Sequence, residues 1–137
     1  TDGENNRFDT LFGARRWEFG PTGIFGAIAR SNVLTPGLRL FLQPRSDVEV
    51  MLVYRPVYLA SDTDTYVPGG VRDQSGGSGD HVGDFSECRL RWHVAPGNWM
   101  LEFGVAYLAA GEFLEDAPNA SGNGDTSYVY VQSLFTF

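Results

Sequence analysis

Four arginines fall at alternating positions of strand-like stretches: Arg39 in LRLFLQ, Arg55 in VEVMLVYRPVYLA, and Arg89 and Arg91 in CRLRWHV. A guanidinium is a planar fork that grips a carboxylate through two parallel hydrogen bonds, where an ammonium offers a point charge. A file of such forks could hold the carboxylates of an acidic sugar chain in series. Arg15 and Arg16 beside Trp17 form a second constellation, with an aromatic face for a sugar ring and guanidiniums for its carboxylate. The bland alternatives are that each strand arginine is neutralised by a neighbouring carboxylate, as Arg91 by Glu102, and that Arg15, Arg16 and Trp17 anchor a packed loop. All ten basic residues are arginine and none is lysine. GC-rich codon usage produces the same bias without function.

Other chemistries find less support. A net charge of −7 argues against a nucleic-acid partner. Asp62, Asp64, Asp73, Asp80 and Asp84 are oxygen-rich but follow no calcium-loop spacing. His81 and His93 stand apart without metal-ligand spacing. The single cysteine, Cys88, excludes both an internal disulfide and a thiolate cluster. Neither a metal nor a cofactor is expected. The chain contains no G-x-S-x-G, H-E-x-x-H or phosphate loop. Glu87 and Glu102 could pair as glycosidase carboxylates, but two carboxylates on an alternating sheet face are common without chemistry. No catalytic residue is assigned, and the expectation is a protein that is not an enzyme.

The elements that would position these residues are strands. A chain of 137 residues bounds one domain. It opens on the polar TDGENNR and has no run of eighteen apolar residues, so it is expected either to have lost a targeting segment or to be part of something longer. Residues 1–36 read as an irregular loop region, in which GIFGAIAR could be a short strand or one helical turn. From there period-two patterning predicts five antiparallel strands at 37–43, 48–60, 85–95, 98–111 and 126–137, joined as a simple meander. The connections alternate short (PRSD; Pro96–Gly97) and long (61–84; 113–125), and the first long loop, containing DQSGGSGD, is expected to be solvated and mobile. A two-residue turn at Pro96–Gly97 sets Ala95 opposite Asn98, Val94 opposite Trp99, His93 opposite Met100, Trp92 opposite Leu101, Arg91 opposite Glu102 and Leu90 opposite Phe103. Pro56 implies a bulge or an edge, and a bulge there would flip the facing of 57–60.

The alternation sorts the side chains. Leu38, Leu52, Trp92, Leu101, Phe103 and Val131 share one face; Arg39, Arg55, Arg91 and Glu102 share the other. No charge lies on the apolar stripe. A soluble sandwich hides such a stripe inside, and a transmembrane barrel turns it to lipid with the charges toward the lumen. Three features favour the barrel. The longer segments reach the nine to eleven residues that a tilted membrane strand needs. The loops alternate in length. Trp99 and Phe137 mark the short-turn end and Tyr58 and Tyr107 the long-loop end, as two interfacial girdles would.

RFDTLFGARRWEFGPTGIFGAIARSNVLTPGLRL and GEFLEDAPNASGNGDTSYVYVQSLFTF resemble the C-terminal part of the alginate-export family of Gram-negative outer-membrane β-barrels. The most specific stretches are FGARRWEFGPTGI and FLEDAPNA with the following GDT. The resemblance implies an all-β fold, namely the C-terminal segment of a transmembrane β-barrel from a longer parent, since five strands cannot close a barrel that needs about eight. It implies passive, porin-like export of an anionic polysaccharide such as alginate across the bacterial outer membrane. The implied partners are that polysaccharide, outer-membrane lipid, and the barrel-assembly machinery, which would read the final strand ending at Phe137. The alternative is a soluble β-sandwich or small barrel acting as a carbohydrate-binding module.

Overall fold

The computed structural model describes residues 26–121 and 124–137. Its elements are β1 (Val33–Leu34), β2 (Leu38–Arg45), β3 (Val48–Leu59), β4 (His81–Ala95), β5 (Trp99–Ala110), α1 (Glu112–Asp116) and β6 (Thr126–Phe135). All strands pair antiparallel in one sheet, in the order β2–β3–β4–β5–β6, and β1 occupies the same edge of β3 further along. The predicted meander is therefore present, with β1 added inside the segment read as loop. GIFGAIAR falls partly outside the described residues, and its last residues, 26–30, are neither helix nor strand. Among the described residues the sheet is open: β2 and β6 each pair on one side only.

The hairpin between β4 and β5 corrects one turn assignment. The Asn98 N–H donates to the Ala95 carbonyl at 3.0 Å, and Gly97 has φ of 84°. Proline followed by a glycine at positive φ is the type II pattern, whose twist does not match the strands it joins. A third residue is therefore taken into the turn. Ala95 faces Trp99, and the pairing is irregular until Trp92 meets Leu101. Beyond that point Arg91 faces Glu102 and Leu90 faces Phe103, as the spacing predicts; the expected pairing of Val94 with Trp99 does not form.

Pro56 does not flip its strand. Met51, Val53, Arg55, Val57 and Leu59 all remain on the covered face of β3. Pro56 lies where that edge of β3 changes partner, β2 ending its pairing at Tyr54 and β1 beginning at Tyr58. The extra residue sits instead in β4. Val57 faces Gly83 and Tyr58 faces His81, leaving Val82 as the bulge. Gly83, at φ 151°, is required here, since a methyl group on it would lie 2.1 Å from the Ala109 carbonyl oxygen.

The hydrophobic core is not a sandwich interior. It gathers Val57, Leu59, Val82, Phe85, Ala106 and Leu108 from the strands with Ile28 from the segment before β1 and Tyr66, Phe113, Leu114 and Ala117 from the connections. The long connections thus fold over one end of one sheet face. Most side chains of the first loop are exposed, as expected of a solvated loop, but Tyr66, Asp73 and Ser78 within it are buried. Tyr66 is buried and bridges to Val71, and the second connection contains α1, with Phe113 wholly buried.

Candidate functional site

The face that carries the charges is built as cross-strand rows, because residues in register on antiparallel strands point the same way. Nearest the short turns, Glu49, Arg91, Glu102 and Gln132 form one row. Phe41, Met51, Arg89, Gly104 and Tyr130 form the next, followed by Arg39, Val53, Glu87, Ala106 and Tyr128. Arg55, Phe85, Leu108 and Thr126 form the fourth. At about 3.4 Å per residue, these rows cover about 20 Å of strand. The four strand arginines expected on one face are therefore together on it, staggered over four rows and three strands. Arg15, Arg16 and Trp17 lie outside the described residues.

This face is buried at its centre and exposed toward β2, where Arg39, Phe41 and Glu49 stand open. Arg55, Glu87, Arg89 and Glu102 are all buried, and Glu102 is only 1% exposed. Its carboxylate is the hub. Arg91 Nε donates to Oε2 at 2.6 Å, Tyr130 donates its hydroxyl to Oε1 at 2.8 Å, and Arg89 Nε stands 4.0 Å from Oε2. A carboxylate so far from water requires such partners, because an uncompensated buried charge costs several kcal/mol. The bland reading of Arg91, that Glu102 neutralises it, is thus realised in the geometry. Two guanidiniums thus approach that one carboxylate, with Glu49 in register beside Arg91 on the same face. Toward β2 the face opens into a concavity of about 410 Å³ lined by Phe41, Gln43, Glu49, Met51, Arg89 and Arg91.

The sequence reading missed two residues that shape the hub. Gly104 faces Tyr130 across the β5–β6 ladder. A methyl group on Gly104 would lie 2.0 Å from Tyr130 Cε1, so the missing side chain lets the phenol lie flat across β5 and reach Glu102. Glycine inside a strand often marks such a close approach, and that was the available signal. Tyr130 alternates with Val129 and Val131 and so belonged to the polar face by period alone.

The opposite face is apolar and exposed. Leu40, Leu52, Cys88, Val105 and Val129 form one row and Leu42, Val50, Leu90, Phe103 and Val131 another, and most of their side chains stand in the open. Leu38, Leu52, Trp92, Leu101, Phe103 and Val131 share this face, as expected. Polar tips on this face find partners at its two ends. At the long-loop end the Tyr54 hydroxyl donates to Asp84 at 2.6 Å and the Tyr107 hydroxyl to Asp125 at 2.7 Å. At the short-turn end the Trp92 indole donates to Asp47 at 3.2 Å and the Trp99 indole to Ser133 at 3.0 Å, with Trp99 stacked on Phe135. Ser133, which breaks the apolar stripe of β6, thereby satisfies an indole. Of the expected girdle residues, Tyr58 packs against His81, and Phe137 is fully exposed beyond β6.

A family model described as alginate export matches residues 1–126. No curated protein and no solved structure matches the chain.

Proposed function

Since the chain belongs to the alginate-export family, we propose that its sheet is a wall segment of an outer-membrane barrel through which an anionic polysaccharide is exported passively. One observation carries this reading: the sheet is inside out by the standard of a soluble domain. The middle of its charged face, with Arg55, Glu87, Arg89 and Glu102, is buried, while rows of leucine, valine and phenylalanine on the other face stand exposed. Water does not tolerate an apolar patch of that extent, whereas lipid requires one. The soluble sandwich would need a second sheet over the apolar stripe, and the described residues form a single sheet.

The aromatic bands support the placement. Tyr107 and Trp99 are eight residues apart on β5, about 27 Å along the strand and about 20 Å along the membrane normal at a tilt near 40°, close to the ~25 Å apolar band of such barrels. Tyrosine and tryptophan keep an apolar body in lipid and a polar tip in the interface. The acidic partners Asp84, Asp125 and Asp47 stand where headgroups begin. On the charged face, Arg39, Arg55, Arg89 and Arg91 offer forks to sugar carboxylates, and Phe41 offers a ring face. Arg15, Arg16 and Trp17 remain a proposed second contact. Transport requires weak sites in series, so that entry does not become trapping. The open edges at β2 and β6 are closed, in this reading, by other strands of the barrel, and assembly machinery engages β6.

The test reconstitutes the full-length polypeptide in lipid vesicles, where Trp92 and Trp99 should be quenched by brominated acyl chains. Uptake of acidic oligosaccharides should exceed that of neutral ones of equal length. Tryptophans open to aqueous quenchers and closed to lipid-borne ones would remove the membrane placement.

A further inference from the structure

We propose that the two long connections form a fixed constriction on the charged side of the sheet, which admits a single extended, unbranched sugar chain and excludes bulkier ones. The proposal rests on the reading of the charged face as the lining of a passage. The connections do not stand away from the sheet as external loops. Tyr66 from residues 60–80, and Phe113, Leu114 and Ala117 from residues 111–121, pack on Val57, Phe85, Ala106 and Leu108. Those strand residues lie an even number of positions from Arg55, Glu87 and Glu102 on their own strands, so they share the facing of the arginines. The connections therefore occupy the lumen side directly beyond the third row of charges, and Arg55 stands at the boundary.

The two connections are tied to each other as well as to the sheet. Asn119 closes the joint with both ends of its amide: Oδ1 accepts the Arg72 N–H at 2.8 Å, and Nδ2 donates to the Gly70 carbonyl at 3.0 Å. Gly79, at φ 73°, passes so close to α1 that a methyl group on it would lie 2.2 Å from Glu112 Oε1. Asn32 holds the start of the first connection, accepting the Ser61 N–H at 2.8 Å and donating to the Ser61 carbonyl at 3.0 Å. Within it, Asp73 gathers the amides and hydroxyls of Ser75 and Ser78 at 2.7–2.9 Å. A lid that opens must expose little apolar surface and break few bonds. This one would expose Phe113 and Tyr66 and break the Asn119 clamp, so it belongs to the wall and does not gate.

The experiment uses the full-length protein in planar bilayers. Replacing residues 62–79 by a short Gly-Ser link should raise single-channel conductance by about twofold or more, because conductance follows the narrowest cross-section, and should let branched oligosaccharides pass. Assembly is verified by heat-modifiable gel mobility. If that variant does not assemble, Asn119→Ala is read instead: it keeps the apolar core and loosens the joint, and should add excursions to a larger conductance level. A cysteine pair replacing Gly70 and Asn119, with Cys88 changed to serine, should show the same excursions when reduced and, once oxidised, lose them and stay at the wild-type conductance level. An assembled loop-replacement variant with wild-type conductance overturns the proposal, as does an Asn119→Ala trace without excursions or an oxidised cysteine pair whose excursions persist. Ion selectivity that shifts when Arg55 and Arg89 are reversed, with conductance indifferent to the loops, removes the constriction and leaves the passage; selectivity unmoved by that reversal removes the lining itself.

Discussion

Arg91 and Glu102 face each other in register across β4 and β5, with Nε 2.6 Å from Oε2, and the carboxylate is almost wholly removed from water. The same oxygen lies 4.0 Å from Arg89. Glu102 therefore restrains both arginines while neutralising only one unit of their charge. Substituting Glu102 by glutamine should destabilise the barrel by about 3 kcal/mol, in the range for removing one partner of a buried pair. In bilayers the same variant should be more anion-selective. Denaturant titration in vesicles reads the first effect and reversal potentials the second; unchanged stability would mean that water already screens the hub.

Reversal of charge on the arginine face should act the other way. A single Arg55→Gln change removes one carboxylate contact and should weaken acidic-oligosaccharide binding by about 1–3 kcal/mol. The double change Arg55→Glu and Arg89→Glu should turn anion preference into cation preference while the barrel still assembles, because lumen substitutions tune selectivity and leave the lipid face intact. Selectivity that does not move would return the substrate question to Arg15, Arg16 and Trp17.

Gly104 and Tyr130 should be coupled. Gly104→Ala places a methyl group where the phenol ring lies, displacing the hydroxyl from Glu102 at about 1–3 kcal/mol. Tyr130→Leu alone removes the same hydrogen bond. The double variant should cost less than the sum of the two, and a double-mutant cycle measures the shortfall. Strict additivity would show that the ring does not depend on the bare backbone beneath it.

The apolar face separates lipid from water by one substitution. Val105 is 44% exposed, in the row of Leu52 and Val129. On a soluble surface Val105→Arg should change stability by no more than about 0.5 kcal/mol. Against the middle of a bilayer it should cost about 2–4 kcal/mol. The larger value, measured by folding into vesicles, is the expected outcome.

Asp73 predicts an acid-resistant connection. Hydrogen bonds from the Ser75 and Ser78 side chains, and from the amides of the same residues, hold its carboxyl well below the usual carboxylate range. A depressed carboxylate contributes stability that is fully present above its unfolded pKa of about 3.9 and is lost as pH falls through the lower folded value. Amide protection at Ser75 and Ser78 should therefore hold from neutral pH to about 4 and decline below it. In Asp73→Asn the protection should be weaker at neutral pH and show no acid step.

The strands and their facing were legible in the sequence because both are local. Period two assigns each side chain to a face before any partner is known, and so Arg39, Arg55, Arg89 and Arg91 could be placed together and Leu52, Phe103 and Val131 opposite them. Most of the β4–β5 register followed from one turn. Its last pairs did not, because the spacing of Pro96 and Gly97 marks a turn without saying whether its twist suits the strands. Which face would be covered was also undetermined, since a sandwich and a barrel share the pattern. Tertiary structure decided that by folding the long connections over the arginine side. Their glycines, serines and aspartates read as a solvated tether, and only contact with Val57, Phe85 and Leu108, distant in sequence, shows that Tyr66 and Phe113 are core residues. The hub at Glu102 was half legible: a cross-strand pair with Arg91 is a matter of register, but Tyr130 reaches it only because β6 lies against a bare stretch of β5 at Gly104, and that approach is a property of three strands at once.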